Sequence, residues 1–318
     1  MPSTETRRVV ASKRADEIVT IVAGASRIPF SNEALVRVTA ISLNRGELGR
    51  AQRTADGTLQ IGWDFVGTID TPAADGTGPV AGFRVVGFST RMEGWAELVA
   101  VPTSYIAPIP DGVSDAQAAT LPVAGLTALH SVDAATSLLG RQALITGATG
   151  GVGMFAVQLA ALAGATAFAQ IRRAEQKGFI ESLGEYPTIV TADGREFSEH
   201  KGFRLIIDGV SGAILANAIP ALAPDGICVC YGVTDTPEIP VDIGQFMRIG
   251  LARMMGFHLY AKSESSPPNA NLPRLLSLVA DGRLNCAIER EASWTEINSV
   301  AQDLIDRKFF GKAVLHID

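Results

Sequence analysis

Residues 142–169 have the apolar pattern of a strand, a glycine-rich turn, a helix and a second strand. Ala143–Thr146 is a short apolar run, and glycines follow at positions 147, 150, 151 and 153. Apolar residues then recur at helical spacing until Gly164, and Ala165–Ala169 predicts the next strand. The stretch therefore predicts one βαβ unit with the glycines at its strand-to-helix turn.

The same alternation extends on both sides of this unit. Residues 117–138 have a helical apolar face, and residues 205–208, 227–231 and 254–259 are strand-like runs around a helix at 214–222. Strands that alternate with helices predict a parallel sheet. The serine- and proline-rich residues 263–268 predict a linker, followed by a helix at 272–279.

The first part of the chain has a different pattern. Short β-branched runs separated by glycine turns predict a β-rich domain. Residues 284–318 supply two strands, 287–289 and 313–317, around a helix at 295–306, and we expect them to return to that domain. We thus predict a β-rich domain from residues 1–116 and 265–318, and a nucleotide-binding domain from residues 117–264.

Composition narrows the class of protein. The 318 residues are 47% hydrophobic and carry a formal charge of −6, which argues against a nucleic acid or an acidic membrane as partner. No stretch of about twenty uninterrupted apolar residues is present, so we expect no membrane span. The start of the chain lacks the apolar core of a signal peptide, and three cysteines fit a reducing cytoplasm.

The glycine turn is suited to binding a pyrophosphate. Glycines permit a tight turn and close approach of backbone amides, and the following helix offers free N–H groups to an anion. The spacing Thr146-Gly147, Gly151, Gly153 is also that of short-chain dehydrogenases. Those enzymes carry the turn near the N-terminus and a Tyr-x-x-x-Lys pair. Here more than a hundred residues precede the turn, and none of the four tyrosines has a lysine four positions on, so the short-chain class is excluded.

The order of motifs resembles the zinc-independent medium-chain dehydrogenases/reductases of the quinone oxidoreductase, or ζ-crystallin, type. The matching segments are spread over most of the chain: 44–47, 62–67, 84–87, 94–97, 121–122, 125–128, 146–153, 231–232 and 311–315. The resemblance implies an α/β fold, with a Rossmann doubly wound parallel sheet plus a GroES-like β-barrel domain and an active site in the cleft between them. It also implies NADPH-dependent reduction of a quinone or an α,β-unsaturated carbonyl, and a homodimer paired through the edge strand at residues 253–260.

The resemblance also implies particular site residues. Asn44 and Thr127 match positions that face the nicotinamide, where an amide and a hydroxyl can hold the carboxamide, the ribose or a substrate oxygen. The expected cofactor-binding residues are Thr127, Thr149, Gly150, Gly151, Val152, Arg172, Arg173, Lys177, Gly209, Tyr231, Gly232, Phe257 and Lys312.

We expect no metal. Asn44 stands where zinc-containing relatives have a cysteine, and Trp63 and Asp64 stand where they have His-Glu. No cysteine or histidine precedes His130, and zinc prefers thiolate and imidazole ligands. Cys228 and Cys230 alternate along a predicted strand and are interpreted as small buried side chains.

The end of the second strand predicts the choice of cofactor. NAD-specific domains place an acidic residue there, whereas this strand ends in Gln170-Ile-Arg-Arg173, with Lys177 following. Cationic side chains at this place favour the 2′-phosphate of NADPH. The tyrosine of the pair that often completes the family's phosphate clamp is missing from residues 191–195.

Three functions remain open at this point: reduction of a small apolar quinone or enone, a zinc-independent alcohol or aldehyde dehydrogenase, and NADPH binding without turnover. The lack of a Lewis acid disfavours the second function. No His, Tyr or carboxylate stands out as a proton donor, so we expect the proton to come from solvent.

Overall fold

The computed structural model describes residues 5–317, which form two compact units. Unit 1 comprises Met1–Leu126 and Tyr260–Asp318, and unit 2 comprises Thr127–Leu259. Residues 117–126, which we assigned to the nucleotide-binding domain, thus belong to unit 1. Within residues 5–317, no helix combines the length and apolar character needed to cross a membrane.

Unit 1 is built from strands at both ends of the chain. In chain order they are β1 Glu5–Ala11, β2 Val19–Ala25, β3 Glu33–Ser42, β4 Asp64–Thr71, β5 Arg84–Phe88, β6 Leu98–Pro102 and β7 Ile106–Pro108, with β14 Ile288–Ser293 and β15 Lys312–His316. β1 pairs with β2, and the other seven form a sheet in the order β14-β15-β3-β4-β5-β7, with β6 paired to β3. Strand β15 therefore joins the C-terminal segment to the N-terminal sheet, as the sequence predicts.

The core of unit 1 is aromatic and β-branched. Trp95, Trp294 and Phe65 are fully buried in one hydrophobic cluster. The helices bordering this core are α1 Arg45–Thr54, α2 Asp115–Ala119, α9 Pro268–Ala280 and α10 Ile297–Ile305. Burial of the apolar face of α9 begins with Pro268, a residue suited to the first turn of a helix.

The helical pattern predicted for residues 117–138 is confirmed as far as Asp133, where it comprises α2, a π-helical turn at Leu121–Gly125, and α3 at Leu126–Asp133. Pro122, which lacks a backbone N–H, lies in that turn. The predicted linker at 263–268 overlaps helix α8, Leu259–Ser265, in which Leu259 and Ser263 are buried.

Unit 2 contains the predicted parallel sheet. Its strands are β8 Gln142–Ile145, β9 Thr166–Ile171, β10 Thr188–Val190, β11 Phe203–Asp208, β12 Leu222–Cys230 and β13 Arg253–Gly256; its further helices are α4 Gly151–Leu162, α5 Lys177–Leu183, α6 Gly212–Ala218 and α7 Ile243–Ile249. The sheet order is β10-β9-β8-β11-β12-β13, and every neighbouring pair is parallel. This is the strand order of a Rossmann domain, whose ligands bind at the carboxyl ends of the strands.

Candidate active site

The glycine turn of unit 2 joins β8 to α4 and leaves the start of that helix accessible. Gly147 has a left-handed φ of 58°. A Cβ at Gly153 would collide with the Gly147 carbonyl oxygen and lie 2.8 Å from the Ala148 Cα, so only glycine lets α4 pack this closely on the turn. The accessible positions at the helix start are Thr149, Gly150, Gly151 and Val152. Their arrangement fits a bound pyrophosphate.

The buried side chains of Gln170 and Asp208 hold the turn. Neither was identified from the sequence as functional. The Gly147 amide donates to Gln170 Oε1 (2.8 Å), and Gln170 Nε2 donates to the Thr191 carbonyl (2.8 Å). Thr146 Oγ1 donates to Asp208 Oδ1 at 2.6 Å, and burial raises the pKa of Asp208. Gln170 and Asp208 both lie near the carboxyl end of a strand, β9 and β11 respectively. Their position in the predicted strands is the sequence signal that could have identified them.

The predicted 2′-phosphate residues lie just beyond β9. Arg172 and Arg173 are exposed, and neither guanidinium forms an ion pair with any residue in the described part of the chain. Lys177 is exposed as well, but its Nζ lies 3.5 Å from Glu181 Oε1. The three cationic side chains are therefore not equivalent, because among the described residues only the lysine has a carboxylate partner.

Gln176 organises this segment and was not predicted. Its Oε1 accepts hydrogen bonds from the backbone amides of Arg172 (2.9 Å) and Arg173 (3.1 Å), and its Nε2 donates to Thr149 Oγ1 (3.2 Å). One largely buried amide thus connects the arginine pair to the glycine turn.

The remaining predicted cofactor residues of unit 2 follow β11, β12 and β13. The Tyr231 ring lies where a side chain at Gly209 would be, and a Cβ at Gly232 would lie 3.4 Å from the Gly209 carbonyl oxygen. The Phe257 amide donates to the Cys230 carbonyl at 2.8 Å. Because the sheet is parallel, these residues lie at the carboxyl ends of the strands, as the glycine turn does.

Thr127 begins the part of α3 that belongs to unit 2. It is 5% exposed, and its carbonyl accepts a hydrogen bond from Ser131 Oγ at 2.7 Å. One turn further on, the His130 ring lies 6.2 Å from the Phe257 ring, centroid to centroid. Helix α3 thus approaches the carboxyl end of the sheet, and Thr127 stays a predicted site residue.

In unit 1, Asn44 and Lys312 lie in a buried network with Asp64 and Glu47. Lys312 Nζ donates to Asn44 Oδ1 (2.8 Å) and to the Leu43 carbonyl (3.0 Å), and it lies 3.7 Å from Asp64 Oδ2. Asn44 Nδ2 lies 2.8 Å from Asp64 Oδ2 and 3.2 Å from Glu47 Oε1. Lys312 is 2% exposed and both acids are fully buried, so its ammonium is already engaged by protein groups.

Burial dominates the electrostatics of this network. It raises the pKa of Asp64 to about 6, against the lowering effect of the Lys312 ammonium. It also raises the pKa of Glu47, with the Asp64 carboxylate adding to the rise, and lowers the pKa of Lys312. Such a cluster persists only because its members satisfy one another.

Backbone contacts fix the two acids. Glu47 accepts hydrogen bonds from the amides of Asn44 (2.7 Å) and Trp63 (2.8 Å), and Asp64 accepts one from the amide of Val123 (2.9 Å). The network thereby joins the start of α1, the start of β4 and the π-helical turn. Glu47 and Asp64 were not singled out by the sequence as site residues, and their burial could not be deduced from spacing.

An aromatic group borders the network. The Trp63 ring packs over Gly46, and its indole N–H donates to the Tyr260 hydroxyl. The Tyr260 ring in turn lies 5.5 Å from Phe88, at an interplanar angle of 66°. Trp63, at a position where zinc enzymes have histidine, thus belongs to an apolar wall.

The metal-free prediction remains a prediction. Within residues 5–317, no group of three or more His, Cys, Asp or Glu side chains is arranged to hold a metal ion. Cys228 is fully buried, and its Sγ lies 3.9 Å from Cys230 Sγ, while Cys286 is also buried.

Comparisons with known proteins agree with the architecture. Residues 151–279 match the family model described as zinc-binding dehydrogenase. The chain is 24% identical over 332 residues to the putative quinone oxidoreductase YhfP of Bacillus subtilis, covering 99% of this chain and 100% of that protein. It is 27% identical over 301 residues to a phenolphthiocerol/phthiocerol polyketide synthase of Mycobacterium tuberculosis, covering 91% of this chain but only 14% of the synthase.

Solved structures show the same fold. The quinone oxidoreductase from Coxiella burnetii superposes with a TM-score of 0.82 at 22% identity, over 99% of this chain and 100% of that one. Mycobacterial Rv1454c complexed with NADPH gives 0.84 at 21% identity, over 98% and 100%. The CurK enoyl reductase gives 0.80 at 21% identity, over 99% and 100%.

The chain thus resembles dehydrogenases and quinone oxidoreductases in sequence, and it has the fold of the solved quinone oxidoreductases. The predicted fold class, a Rossmann sheet with a GroES-like β domain, is confirmed. The residues matched by the zinc-binding dehydrogenase model, 151–279, include much of the nucleotide-binding domain and part of the chain after it. Asn44, Trp63 and Asp64 lie outside the matched residues.

Proposed function

We propose that this protein is an NADPH-dependent reductase that transfers hydride to a quinone or an α,β-unsaturated carbonyl without a metal ion. The observation that carries the cofactor choice is the exposed pair Arg172–Arg173, which has no carboxylate partner among the described residues. Gln176 holds both backbone amides beside the glycine turn. A cofactor with a 2′-phosphate would supply the missing negative charge.

The acceptor class is proposed from the chemistry of the site residues. Asn44, Trp63 and Asp64 replace the usual zinc ligands, and the Asp64 carboxylate is directed to Asn44 and Lys312. NADPH supplies the hydride when bound. The protein residues would position an acceptor that is already polarised and exclude water, which suits quinones and enones better than simple alcohols.

Stopped-flow oxidation of NADPH tests this function directly. The panel contains 1,4-benzoquinone, 9,10-phenanthrenequinone, an alkenal and an acyl-chain enone, the last because relatives include polyketide synthases and a structural neighbour is an enoyl reductase. At least one acceptor should be reduced faster than a simple aldehyde. Binding of NADPH with no turnover of any acceptor would instead support the non-catalytic alternative, and stoichiometric zinc by plasma mass spectrometry would contradict the metal-free mechanism.

We also propose a homodimer in the cytoplasm. Within the described residues β13 pairs only with β12, and it forms one edge of the sheet. Met254 on this strand and Leu251 before it are 46% and 83% exposed. An apolar sheet edge promotes association unless it is covered. Light scattering that gives a stable monomer mass at micromolar concentration would contradict the dimer.

A further inference from the structure

Unit 1 contains a small cavity bordered by the paired strands β1 and β2 and by residues 96–100, which we call the Arg8 cavity. Its volume is about 90 Å³, which is room for several water molecules or one small anion. The polar side chains that line it are Thr6, Arg8, Ser26, Arg27, Gln60 and Glu93. None of them belongs to the glycine turn or to the network around Lys312, so the cavity shares no side chain with the candidate active site.

The Arg8 guanidinium at the cavity wall lacks an acceptor. Arg8 lies on β1 and packs against Gly24 of the paired strand, where a Cβ would lie 2.8 Å from both Arg8 Cζ and Arg8 Nε. The side chain is partly buried, and its Nε is shielded from solvent. Within the described residues this nitrogen has no hydrogen-bond acceptor, and the guanidinium forms no ion pair. A buried donor without an acceptor is unfavourable, and more so when the group is charged.

The other charged groups around the cavity balance one another. Arg27 Nη1 lies 2.7 Å from Glu33 Oε2, and Arg27 Nε lies 3.5 Å from Glu93 Oε2. Glu33 also pairs with Arg91, at 3.1 Å. Together with Arg8 the group holds three cations and two carboxylates, which leaves one positive charge. Among the described residues Arg8 is the cation of this group without a carboxylate partner, so the excess charge lies there.

The free donors at the wall suit an anion that presents two or more oxygens. The Nε–H and one Nη–H of a guanidinium are parallel and match two oxygens of a carboxylate or a phosphate. The Ser26 hydroxyl lines the same cavity and has no hydrogen bond to another described residue. Glu93, the acid among the lining residues, already lies beside Arg27, so its charge is matched.

We propose that the Arg8 cavity binds a small oxyanion, of the size of phosphate or acetate, through the Arg8 guanidinium and the Ser26 hydroxyl. The inference goes beyond the proposed function and does not depend on it. The anion supplies the acceptor that Arg8 Nε lacks and offsets its charge. A water molecule can accept from Nε but leaves the charge in place, so the response to anions separates the two ligands. Because β1, β2 and residues 96–100 all border the cavity, a bound anion also stabilises unit 1.

Thermal unfolding in phosphate tests the proposal on the whole chain. Sodium chloride is adjusted to hold the ionic strength constant. For a roughly millimolar affinity, about 30 mM phosphate should raise the melting temperature of the wild type by roughly 2–5 °C. Arg8→Met should melt no lower than the wild type in chloride alone, because it removes an unsatisfied charge, and should show a smaller rise in phosphate. Equal rises in the two proteins would overturn the proposal.

The comparison is controlled at two levels. Phosphate bound at the glycine turn, or excluded from the protein surface, acts on both proteins alike and cancels in their difference. Arg53→Met is the matched control, because Arg53 is an exposed arginine of α1 that also has no carboxylate partner among the described residues. It should keep the full response to phosphate, and loss of the response there would assign the effect to net charge instead of the cavity.

Two further variants test the donors. Arg8→Lys keeps the charge but not the paired N–H groups, so it should retain only part of the response. It also takes the place of Arg8→Met should that variant fail to fold. Ser26→Ala should weaken phosphate binding roughly two- to tenfold through the loss of one hydrogen bond. Unchanged binding in both variants would contradict the assigned contacts.

A second measurement reports the Arg8 side chain in the wild type. In ¹⁵N–¹H spectra the Nε–H signal, assigned by its absence in Arg8→Lys, should shift and saturate as phosphate is added, and its exchange with solvent should slow. Acetate and chloride are titrated separately at equal ionic strength. Saturation with phosphate alone assigns the site to a tetrahedral oxyanion, and saturation with acetate as well extends it to small carboxylates. No saturation with either, or the same shift with chloride, would overturn the proposal.

Discussion

Removal of the Arg172 guanidinium should abolish much of the expected preference for NADPH over NADH. Arg172 and Arg173 directly follow the second strand of the Rossmann sheet, are exposed, and have no carboxylate partner within residues 5–317. Lys177 differs, because Glu181 lies 3.5 Å away. A phosphate would bind the free guanidiniums without breaking an existing ion pair.

The structure ranks the expected effects. A hydrogen bond to a charged group contributes about 1.5–3 kcal/mol, so Arg172→Ala should weaken NADPH binding by roughly 10- to 150-fold. Lys177→Ala should cost less, since the ammonium must leave an exposed partner whose pairing is itself worth only about 0–1 kcal/mol. The combined Arg172→Ala and Lys177→Ala variant should lose most of the preference and keep NADH binding nearly intact.

Fluorescence titration of NADPH and NADH, at two salt concentrations, measures these effects. The affinity for NADPH should fall more steeply with salt in the wild type than in Arg172→Ala, because screening acts on the lost charge pair. Arg141→Ala is the matched control, because this exposed arginine precedes β8 and so lies at the amino ends of the parallel strands. Equal affinity of the wild type for both cofactors would refute the reasoning at its first step.

Three further predictions concern other parts of the site. Thr127→Val should keep the melting temperature within a few degrees but weaken NADPH binding or turnover severalfold, and unchanged kinetic constants would exclude the role. Gly153→Ala should weaken NADPH binding at least tenfold and cost about 1–3 kcal/mol of stability, because the new Cβ collides with the Gly147 carbonyl. At the control position Gly178 a Cβ meets nothing within 4 Å, so Gly178→Ala should leave the midpoint of chemical denaturation nearly unchanged. The pKa of Asp64, raised to about 6, means that the folded protein holds a proton which the unfolded chain has released between about pH 4 and 6. The unfolding free energy of the wild type, relative to Asp64→Asn, should therefore rise as the pH falls through this range, and a pH-independent difference would contradict the shift.

The sequence was most informative where a function depends on local backbone geometry. The turn at 146–153 requires glycines at fixed positions, so its place after β8 and before α4 could be predicted from spacing alone. The apolar periods of the strands predicted the parallel sheet for the same reason. Element boundaries were poorer predictions: the helical stretch predicted for 117–138 ends at Asp133, and residues 263–265 of the predicted linker lie in α8.

Only the folded chain reveals which polar side chains are buried together. Lys312 is 268 residues from Asn44 in the chain, yet their side chains lie 2.8 Å apart because β15 pairs with β3. No pattern within either segment encodes that contact. Gln176 and Gln170 are ordinary polar residues in the sequence and become structural parts of the site through hydrogen bonds to backbone amides.

Local sequence patterns were thus enough to predict the βαβ unit, its glycine turn and the exposed cationic residues after β9, because each depends on residues close together in the chain. The state of the charged groups depends instead on tertiary packing. Whether a lysine contacts a ligand or supports a neighbour is set by burial and by the partners within hydrogen-bond reach. For Lys312, Asp64 and Glu47 those partners come from α1, β4 and β15, which only folding brings together.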